Sequence, residues 1–174
     1  MIQKIIEKTN AILKGHFVLT SGKHSEYYIE KIKFINNPKY VDLLCDALSE
    51  KLKVYNCDVV VGPAYGGLVL AYEVAKKLGK RFVFTQKTEN NMIIRSGFDI
   101  SPKDKAIVIE DIVTTGGSVK EVINLLHEKQ IEVLAIGAIV DRSGGNVDFG
   151  CDFLPLLTMT IEAWDEKDCP ICNP

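Results

Sequence analysis

A chain of 174 residues, of which 47% are apolar and 25% charged, has the size and composition of a single globular domain. Its longest apolar run, residues 133–140, is too short to cross a bilayer, and residues 1–15 lack the apolar block and cleavage site of a signal peptide, so we expect no membrane contact and a cytoplasmic location. The formal net charge of −2 offers no electrostatic reason to expect a nucleic-acid partner.

The N-terminal part of the chain predicts a helix, two short strands and a second helix. Apolar residues fall on one face of the first helix, which Gly15 ends: Ile2, Ile5, Ile6, Thr9, Ile12 and Leu13. Residues 17–19 and 27–29 have strand character and are joined by a turn over residues 20–23. Asn37 and Pro38 are typical of a helix start. The apolar face of that second helix consists of Val41, Leu44, Cys45, Leu48 and Leu52.

From residue 58 onward, strand patterns alternate with helix patterns. The predicted strands are residues 58–61, 81–85, 106–109 and 133–140, and the predicted helices are residues 68–78 and 119–129. This alternation implies a mostly parallel, helix-covered sheet of the α/β class. Nothing marks a second domain, so we predict one domain over residues 1–174, with an N-terminal hood over about residues 1–35 and a core over about residues 36–160.

Residues 86–105 break this alternation. They are polar and contain asparagine and glycine, and twenty such residues are unusual inside a compact domain. They predict either a mobile functional loop or an antiparallel excursion of the sheet.

Residues 106–118 have the pattern of a phosphate site: a strand, an acidic pair, a turn of hydroxyl and glycine residues, and a helix start. Ser118 and Glu121 have the form of a capping box, so we expect the helix to begin at about Ser118. The turn before it then offers backbone N–H groups and the positive end of a helix dipole to an anion. Gly116 and Gly117 allow the anion to approach the backbone closely.

The acidic pair, Glu110 and Asp111, indicates that the ligand is more than a phosphate. Carboxylates would repel a phosphate, and they are better explained as acceptors for sugar hydroxyls. One phosphate beside a diol describes a ribose 5-phosphate. The alternative is a well-capped strand–helix junction with surface acids.

This motif resembles the binding signature of the type I phosphoribosyltransferases, which use 5-phosphoribosyl 1-diphosphate with Mg²⁺. Residues 15–28, GHFVLTSGKHSEYY, are similar to the hood of one subgroup, the orotate phosphoribosyltransferases. Residues 62–67, GPAYGG, resemble the diphosphate loop of the family, and Asp141-Arg142 resembles its arginine after the longest strand. The likeness covers nearly the whole chain in the same order.

The resemblance implies that diphosphate is displaced from the donor by a ring nitrogen of orotate, giving orotidine 5-phosphate in pyrimidine biosynthesis. Glu110 and Asp111 would hold the ribose hydroxyls, and Mg²⁺ would be held mainly through the donor, with Asp111 as the candidate protein ligand. The residues expected around the 5-phosphate are Thr114, Thr115, Gly116, Gly117 and Ser118. Those expected near the diphosphate are Ala64, Tyr65 and Gly66, and Lys87 is a further residue expected to bind the donor.

Orotate carries a carboxylate, which Arg142 can bind with two hydrogen bonds. The alternative for Arg142 is a surface arginine paired with Asp141. The other residues that the resemblance places at orotate are Thr114, Tyr28, Ile29 and Lys31.

The chain departs from the better-known branch of the family at Thr20 and Gly66, where that branch has lysines. Residues 86–97 offer only Lys87 and Arg95, and no histidine. A branch with GHFxLxSGxHS and a C-terminal CPxC matches better, and Lys31 is the candidate replacement for the missing N-terminal lysine. We therefore predict Asp111, Lys87 and Arg95 as the catalytic residues. Residues 86–97 are predicted to be a lid that completes the neighbour's site in a homodimer.

The five cysteines are an odd number without an extracellular signal, which favours reduced thiols. Cys169 and Cys172 have metal-ligand spacing, but a four-ligand zinc site needs a second pair that the sequence does not clearly supply. An ordinary tail is the favoured interpretation, ahead of a site shared by two chains or a redox pair. His16 and His24 are expected to form hydrogen bonds within the hood.

Two rival functions are open to the sequence. A phosphoribosyltransferase for another base, such as a purine, is disfavoured by Arg142, because a purine presents no carboxylate. A regulator that senses the donor and binds nucleic acid should carry a basic face, which the pI of 5.9 disfavours.

Overall fold

The computed structural model describes residues 2–19, 21–89 and 91–173 of the chain. Thr20 of the predicted turn and Asn90 of the predicted lid therefore lie outside the described residues. No helix among the described residues has the length and apolar character needed to cross a membrane.

The N-terminal hood consists of two helices around a two-stranded hairpin. Its elements are α1 (Ile2–Thr9), β1 (Ile12–Val18), β2 (His24–Ile29) and α2 (Ile32–Ile35). The prediction that the first helix reaches Leu13 is wrong. Asn10 has a left-handed φ of 48°, which ends the helix, and Ile12 and Leu13 instead pair with Ile29 and Tyr28 across the hairpin.

A six-stranded sheet forms the core, with helices on both faces. The elements are α3 (Pro38–Leu52), β3 (Val59–Pro63), α4 (Gly66–Leu78), β4 (Arg81–Lys87), β5 (Met92–Ile94), β6 (Lys105–Val113), α5 (Gly117–Glu128), β7 (Glu132–Asp141) and β8 (Asp152–Thr158). The strand order is β5-β4-β3-β6-β7-β8, and every pair is parallel except β4 with β5. The predicted mostly parallel α/β sheet is confirmed.

Alternating side chains of the strands build two cores. Ile107 and Ile109 of β6 pack with α3 and α4 on one face, while Ala106 and Val108 pack with α5 on the other. Because both faces are covered, the central strands have continuous apolar runs, which explains why the sequence marks them clearly.

Helix ends agree with the sequence where a local signal exists. The Asn37 side chain accepts a hydrogen bond from the Lys39 amide and caps α3, and the predicted apolar face of that helix is buried. Gly79 ends α4 with a left-handed φ of 66°.

The expected capping box at Ser118 is wrong. Gly116 precedes the first turn of α5 with a left-handed φ of 76°, and its position makes Ser118 the second residue of the helix. Glu110 and Asp111 also lie within β6 rather than after it, since that strand continues to Val113.

Residues 86–105 begin as an antiparallel excursion, which was one of the two predicted alternatives. Strand β4 continues to Lys87, and β5 returns along it with Gln86 opposite Ile93. Helix α2 and the edge strand β8 are not predicted from the sequence. Strand β8 has half-buried residues and a proline, and so lacks a clear pattern.

Candidate active site

A cleft of about 640 Å³ lies where β6 and β7 end, beneath the hairpin of the hood. It gathers residues from four separate parts of the chain, including all five of the predicted orotate residues. Its main polar and apolar lining is Lys23, Tyr28, Ile29, Lys31, Asp111, Thr114, Thr115, Gly117, Ser118, Glu121, Arg142, Ile161 and Ala163. The structure thus brings together the residues predicted to bind orotate and most of the residues predicted to surround the phosphate.

The two acids of β6 are buried and held by the backbone. Glu110 accepts a hydrogen bond from the Asp111 amide at 2.9 Å, and Asp111 accepts one from the Ile112 amide at 2.6 Å. Glu110 is 8% exposed and Asp111 is 2% exposed. Burial, and then the neighbouring Asp111 carboxylate, raise the pKa of Glu110 to about 8. Glu110 therefore holds a proton that a solvent-exposed carboxyl group would lose at neutral pH.

Lys31 brings a positive charge to this acidic pair. Its Nζ atom lies 2.8 Å from Asp111 Oδ2, at an angle that leaves this buried oxygen without a hydrogen bond. Burial alone lowers the pKa of Lys31, but the Asp111 and Glu110 carboxylates outweigh it and hold the pKa above its ordinary value. Lys31 comes from the hood, so this contact joins the hood to the core.

The first residue of α4 explains why Lys31 can reach the acids. A Cβ atom at Gly66 would lie 1.4 Å from Asp111 Oδ2 and 3.2 Å from Lys31 Nζ. No side chain fits at position 66 in this arrangement, and the Lys31 ammonium occupies the neighbouring space. Of the other two predicted diphosphate residues, Ala64 is half-buried and Tyr65 is 90% exposed, and neither lines the cleft.

The turn between β6 and α5 encloses a second, smaller cavity of about 70 Å³. Gly116 and its neighbours curl around it, and among the described residues none accepts a hydrogen bond from the backbone N–H groups of Thr115, Gly116, Gly117 or Ser118. These donors lie at the positive end of the 12-residue helix α5. The cavity is therefore a cradle for a small anion.

Arg142 follows β7 and is half-buried in the wall of the larger cleft. Its Nε atom is buried and has no hydrogen-bond partner among the described residues. The proposed pairing with Asp141 is absent, because the Asp141 carboxylate accepts from the Ser143 hydroxyl and from the amides of Ser143 and Gly145. Burial lowers the pKa of the Arg142 guanidinium. A half-buried guanidinium whose Nε atom lacks a partner among the described residues can bind a planar carboxylate.

Tyr28 and Ile29 of β2 form the apolar side of the cleft. The Tyr28 ring stacks on Phe17 of β1, with 5.5 Å between the ring centroids, which fixes its orientation. Ile29 is buried. A flat ring that entered beside Arg142 would pack against this surface.

The two predicted catalytic residues of the lid lie outside the cleft of their own chain. Lys87, at the end of β4, forms an ion pair with Glu121 of α5 at 2.8 Å. Arg95 follows β5 and is exposed. Within one chain, neither side chain contacts the acidic pair or Arg142.

Sequence reasoning missed several residues of the cleft. Lys23 lies in the hood motif and could have been chosen for its charge. Ile161 and Ala163 follow β8, where an ordinary apolar segment carries no signal that it lines a cleft.

Comparison with known proteins gives matches over nearly the whole chain. A profile of the phosphoribosyl transferase domain matches residues 34–153. The orotate phosphoribosyltransferase of Thermotoga maritima is 47% identical over 173 residues, which cover 99% of this chain and 92% of the relative. The protein of the same name from Caldanaerobacter subterraneus is 46% identical over 172 residues, with 99% and 90% covered. The crystal structure of orotate phosphoribosyltransferase from Aeropyrum pernix is 26% identical and has a TM-score of 0.79, with 91% and 94% covered.

Proposed function

This chain belongs to the orotate phosphoribosyltransferase family, and from that membership we propose that it transfers the 5-phosphoribosyl group of 5-phosphoribosyl 1-diphosphate to orotate, giving orotidine 5-phosphate and diphosphate. The observation that carries the assignment is a cleft lined by Asp111 and Arg142 that adjoins the anion cradle, which Glu110 lines. The Arg142 Nε atom has no hydrogen-bond partner among the described residues. Such a cleft accommodates a phosphorylated ribose beside a carboxylated ring.

The donor site is proposed on β6 and the turn that follows it. The open N–H groups of the cradle bind the 5-phosphate, and the Glu110 and Asp111 carboxylates accept hydrogen bonds from the two ribose hydroxyls. An anion at the cradle completes the hydrogen bonds that the turn lacks. Glu110 lines the cradle together with the turn, whereas Asp111 lines the larger cleft beside it.

In the reaction, the bond from the anomeric carbon to diphosphate breaks, and the diphosphate keeps the electron pair. A bond from a ring nitrogen of orotate forms at that carbon, and the nitrogen releases its proton to solvent. Positive charge develops on the sugar, which the Asp111 carboxylate stabilises. The Lys31 side chain reaches from the hood to the N-terminal end of α4, beside Gly66. From there its ammonium group can face the departing diphosphate.

Orotate is proposed to lie between Arg142 and the Tyr28 face. The guanidinium pairs with the carboxylate of the base, and this pair supplies the partner that the Arg142 Nε atom lacks. Thr114, at the end of β6, is placed to add a hydrogen bond. The ion pair between Arg142 and the orotate carboxylate distinguishes orotate from uracil and from purines.

Mg²⁺ is the proposed cofactor, and the donor set fits it. Carboxylate oxygens are its preferred protein ligands, and Asp111 Oδ2 would be available to the ion once the Lys31 ammonium, now 2.8 Å away, moves aside. Asp111 would hold the ion together with the donor. When bound, Mg²⁺ neutralises charge on the leaving diphosphate.

The remaining proposals concern the assembly. We place the protein in the cytoplasm as a homodimer in which residues 86–97 close over the neighbour's cleft. This arrangement explains why Lys87 and Arg95 lie away from the acids of their own chain. A lid of this kind excludes water during transfer.

The function is tested by measuring diphosphate release from the donor with four acceptors: orotate, uracil, hypoxanthine and guanine. We expect release with orotate alone and dependence on Mg²⁺. Release with a purine and not with orotate would assign the cleft to another base. Donor binding without release in any mixture would favour the regulatory alternative.

A further inference from the structure

Two histidines of the hood and two cysteines of the C-terminal segment form one cluster. His16 lies in β1, His24 begins β2, and Cys169 and Cys172 follow the short 3₁₀ helix Glu166–Asp168. One ligand atom of each residue lies within 4.8 Å of the other three. The second ligand pair that the sequence did not clearly supply is therefore present in the fold, contributed by residues about 150 positions away along the chain.

Hydrogen bonds alone leave this cluster unsatisfied. The Nε2 atom of His16 lies 3.0 Å from Nδ1 of His24, 3.4 Å from Sγ of Cys172 and 3.8 Å from Sγ of Cys169. Nδ1 of His24 is also 3.2 Å from Sγ of Cys172. A ring nitrogen has one lone pair or one hydrogen in its plane, so it forms one hydrogen bond and not three. Several lone pairs that converge on one point are characteristic of a metal site.

The surrounding structure holds the four residues in place. His24 is 7% exposed and Cys169 is fully buried. The backbone of His24 exchanges two hydrogen bonds with Trp164, at 2.8 and 2.9 Å, and the Ser25 hydroxyl donates to the Glu162 carbonyl. The Asn173 amide donates to the Cys169 carbonyl, which closes the turn that carries both cysteines.

We propose that His16, His24, Cys169 and Cys172 bind one Zn²⁺ ion. Zinc bonds of about 2.3 Å to sulfur and about 2.0–2.1 Å to nitrogen give a tetrahedron with edges of about 3.3–3.8 Å. Two of the four separations above, 3.4 and 3.8 Å, lie in this range, and the other two, 3.0 and 3.2 Å, are slightly shorter. As the ion binds, each thiol releases its proton to solvent and becomes a thiolate ligand. Two sulfur and two nitrogen ligands in a tetrahedron favour zinc over magnesium. Four protein ligands leave no position for a substrate, so the site is structural.

The zinc site would join the hairpin of the hood to the C-terminal segment. Both contribute to the wall of the active-site cleft: Lys23 and Tyr28 come from the hairpin region, and Ile161 and Ala163 from the segment after β8. Loss of zinc is expected to loosen this wall. The apparent KM for orotate should then rise by a larger factor than the Kd for the donor, because the donor site on β6 and the cradle is not part of this wall.

The test is the zinc content of the whole protein, purified with a thiol reductant, loaded with Zn²⁺ and freed of excess ion. We expect one zinc per chain by elemental mass spectrometry, and loss of zinc in Cys172→Ser and His24→Asn. Cys151→Ser and His127→Asn are the matched controls, since these residues lie outside the cluster and should leave the zinc content unchanged. Co²⁺ in place of Zn²⁺ should give the visible absorption of a tetrahedral thiolate site.

Stability supplies a second measurement that does not depend on activity. Removal of zinc with a chelator should lower the melting temperature of the wild type by about 5–10 °C, as expected for an ion present at about 100 times its Kd. Cys172→Ser should melt at the temperature of the metal-free wild type and should not respond to the chelator.

Three outcomes would overturn the zinc site. These are a reduced wild-type protein that holds no zinc, unchanged zinc in both cluster variants, and a Cys169–Cys172 disulfide as the resting form of protein kept under reductant. If the variants do not fold, cobalt titration of the wild type decides the matter, since octahedral spectra would exclude the proposed ligand set. Failure of this proposal leaves the transferase assignment intact, because zinc content and acceptor choice are measured separately.

Discussion

Arg142 is the residue on which the choice of base depends. Its Nε atom is buried and has no hydrogen-bond partner within residues 2–19, 21–89 and 91–173. A buried polar group is normally paired, and an orotate carboxylate would remove the energetic cost of leaving this one unpaired. Replacing Arg142 by alanine should therefore spare folding and damage recognition. A charge-assisted pair is worth about 1.5–3 kcal/mol, so we expect kcat/KM for orotate to fall roughly tenfold to hundredfold.

Arg142→Lys is the matched control, because it keeps the charge and loses the two-pronged geometry. An intermediate loss is expected for lysine, with donor affinity unchanged in both variants by calorimetry. Equal weakening of donor and orotate would instead indicate general disruption of the cleft.

Glu110 predicts a pH dependence of stability. Its pKa is about 8 in the folded protein, compared with an ordinary value of 4.5, so the folded state binds more protons than the unfolded state between these two values. Stability should therefore decrease as the pH rises from about 5 to about 8, by up to about 1.4 kcal/mol per pH unit from this one group.

Glu110→Gln should remove that part of the slope, because glutamine does not titrate. The measurement is urea unfolding of the ligand-free protein at several pH values, comparing the variant with the wild type. Parallel curves for the two proteins would show that Glu110 is already ionised in the folded state.

The turn between β6 and α5 contains two adjacent glycines with different roles. A Cβ atom at Gly116 would lie 2.7 Å from Val147 Cγ1, and its φ of 76° disfavours any other residue. A Cβ atom at Gly117 would meet nothing closer than the Thr115 hydroxyl at 3.7 Å. Gly116 is thus needed for folding, whereas Gly117 faces open space at the cradle.

Alanine at each position separates these roles. Gly116→Ala should lower the free energy of unfolding by about 1–3 kcal/mol, because it adds both strain and a clash. Gly117→Ala should keep the wild-type melting temperature and weaken donor binding, because the added methyl group enters the cradle. Calorimetry of donor binding together with thermal melts of both variants checks the pair; normal donor affinity in Gly117→Ala would place the phosphate elsewhere.

Helix α4 carries an exposed apolar face that predicts self-association. Val69 and Tyr72 lie in the helix and Tyr65 immediately precedes it, with a spacing that puts all three on one side; they are 41%, 57% and 90% exposed. A stripe of this kind is characteristic of a protein interface. We expect a dimer by light scattering and a monomer for Tyr72→Glu.

Val54→Glu is the control for this change. Val54 is 76% exposed but lies beyond α3, next to Tyr55, whose hydroxyl contacts Asp152 at the start of β8. The control variant should remain dimeric. A wild-type monomer at assay concentrations would contradict the interface.

Shared active sites give a separate prediction for the assembly. Lys87→Ala and Asp111→Asn should each be nearly inactive alone, because one lacks the lid cation and the other the acid of the cleft. Mixed dimers contain one site with both groups intact if the lid acts on its neighbour, so mixing should restore part of the activity. Absence of rescue in mixed dimers confirmed by mass would mean that each subunit works alone.

Much of the fold can be predicted from short stretches of sequence, because burial of a strand and termination of a helix depend on the residues of the element itself. The strands of a doubly covered sheet are apolar throughout, and Asn37 and Gly79 mark helix ends by their own backbone preferences. The first helix was predicted too long because Ile12 and Leu13 fit a helical face as well as a strand, and pairing with β2 decides between them. Strand β8 was missed because an edge strand with half-buried residues has no strong pattern.

The α/β class and the family can be recognised from the amino-acid sequence, because their signals lie in short runs of consecutive residues. The partners of individual side chains follow only from the folded structure. It left Arg142 Nε unpaired, placed Lys31 against Asp111 across 80 positions, and joined two hood histidines to two distant cysteines. Such contacts depend on how the hood and the C-terminal segment pack on the sheet. That packing results from many weak apolar contacts, so it cannot be predicted from a short motif.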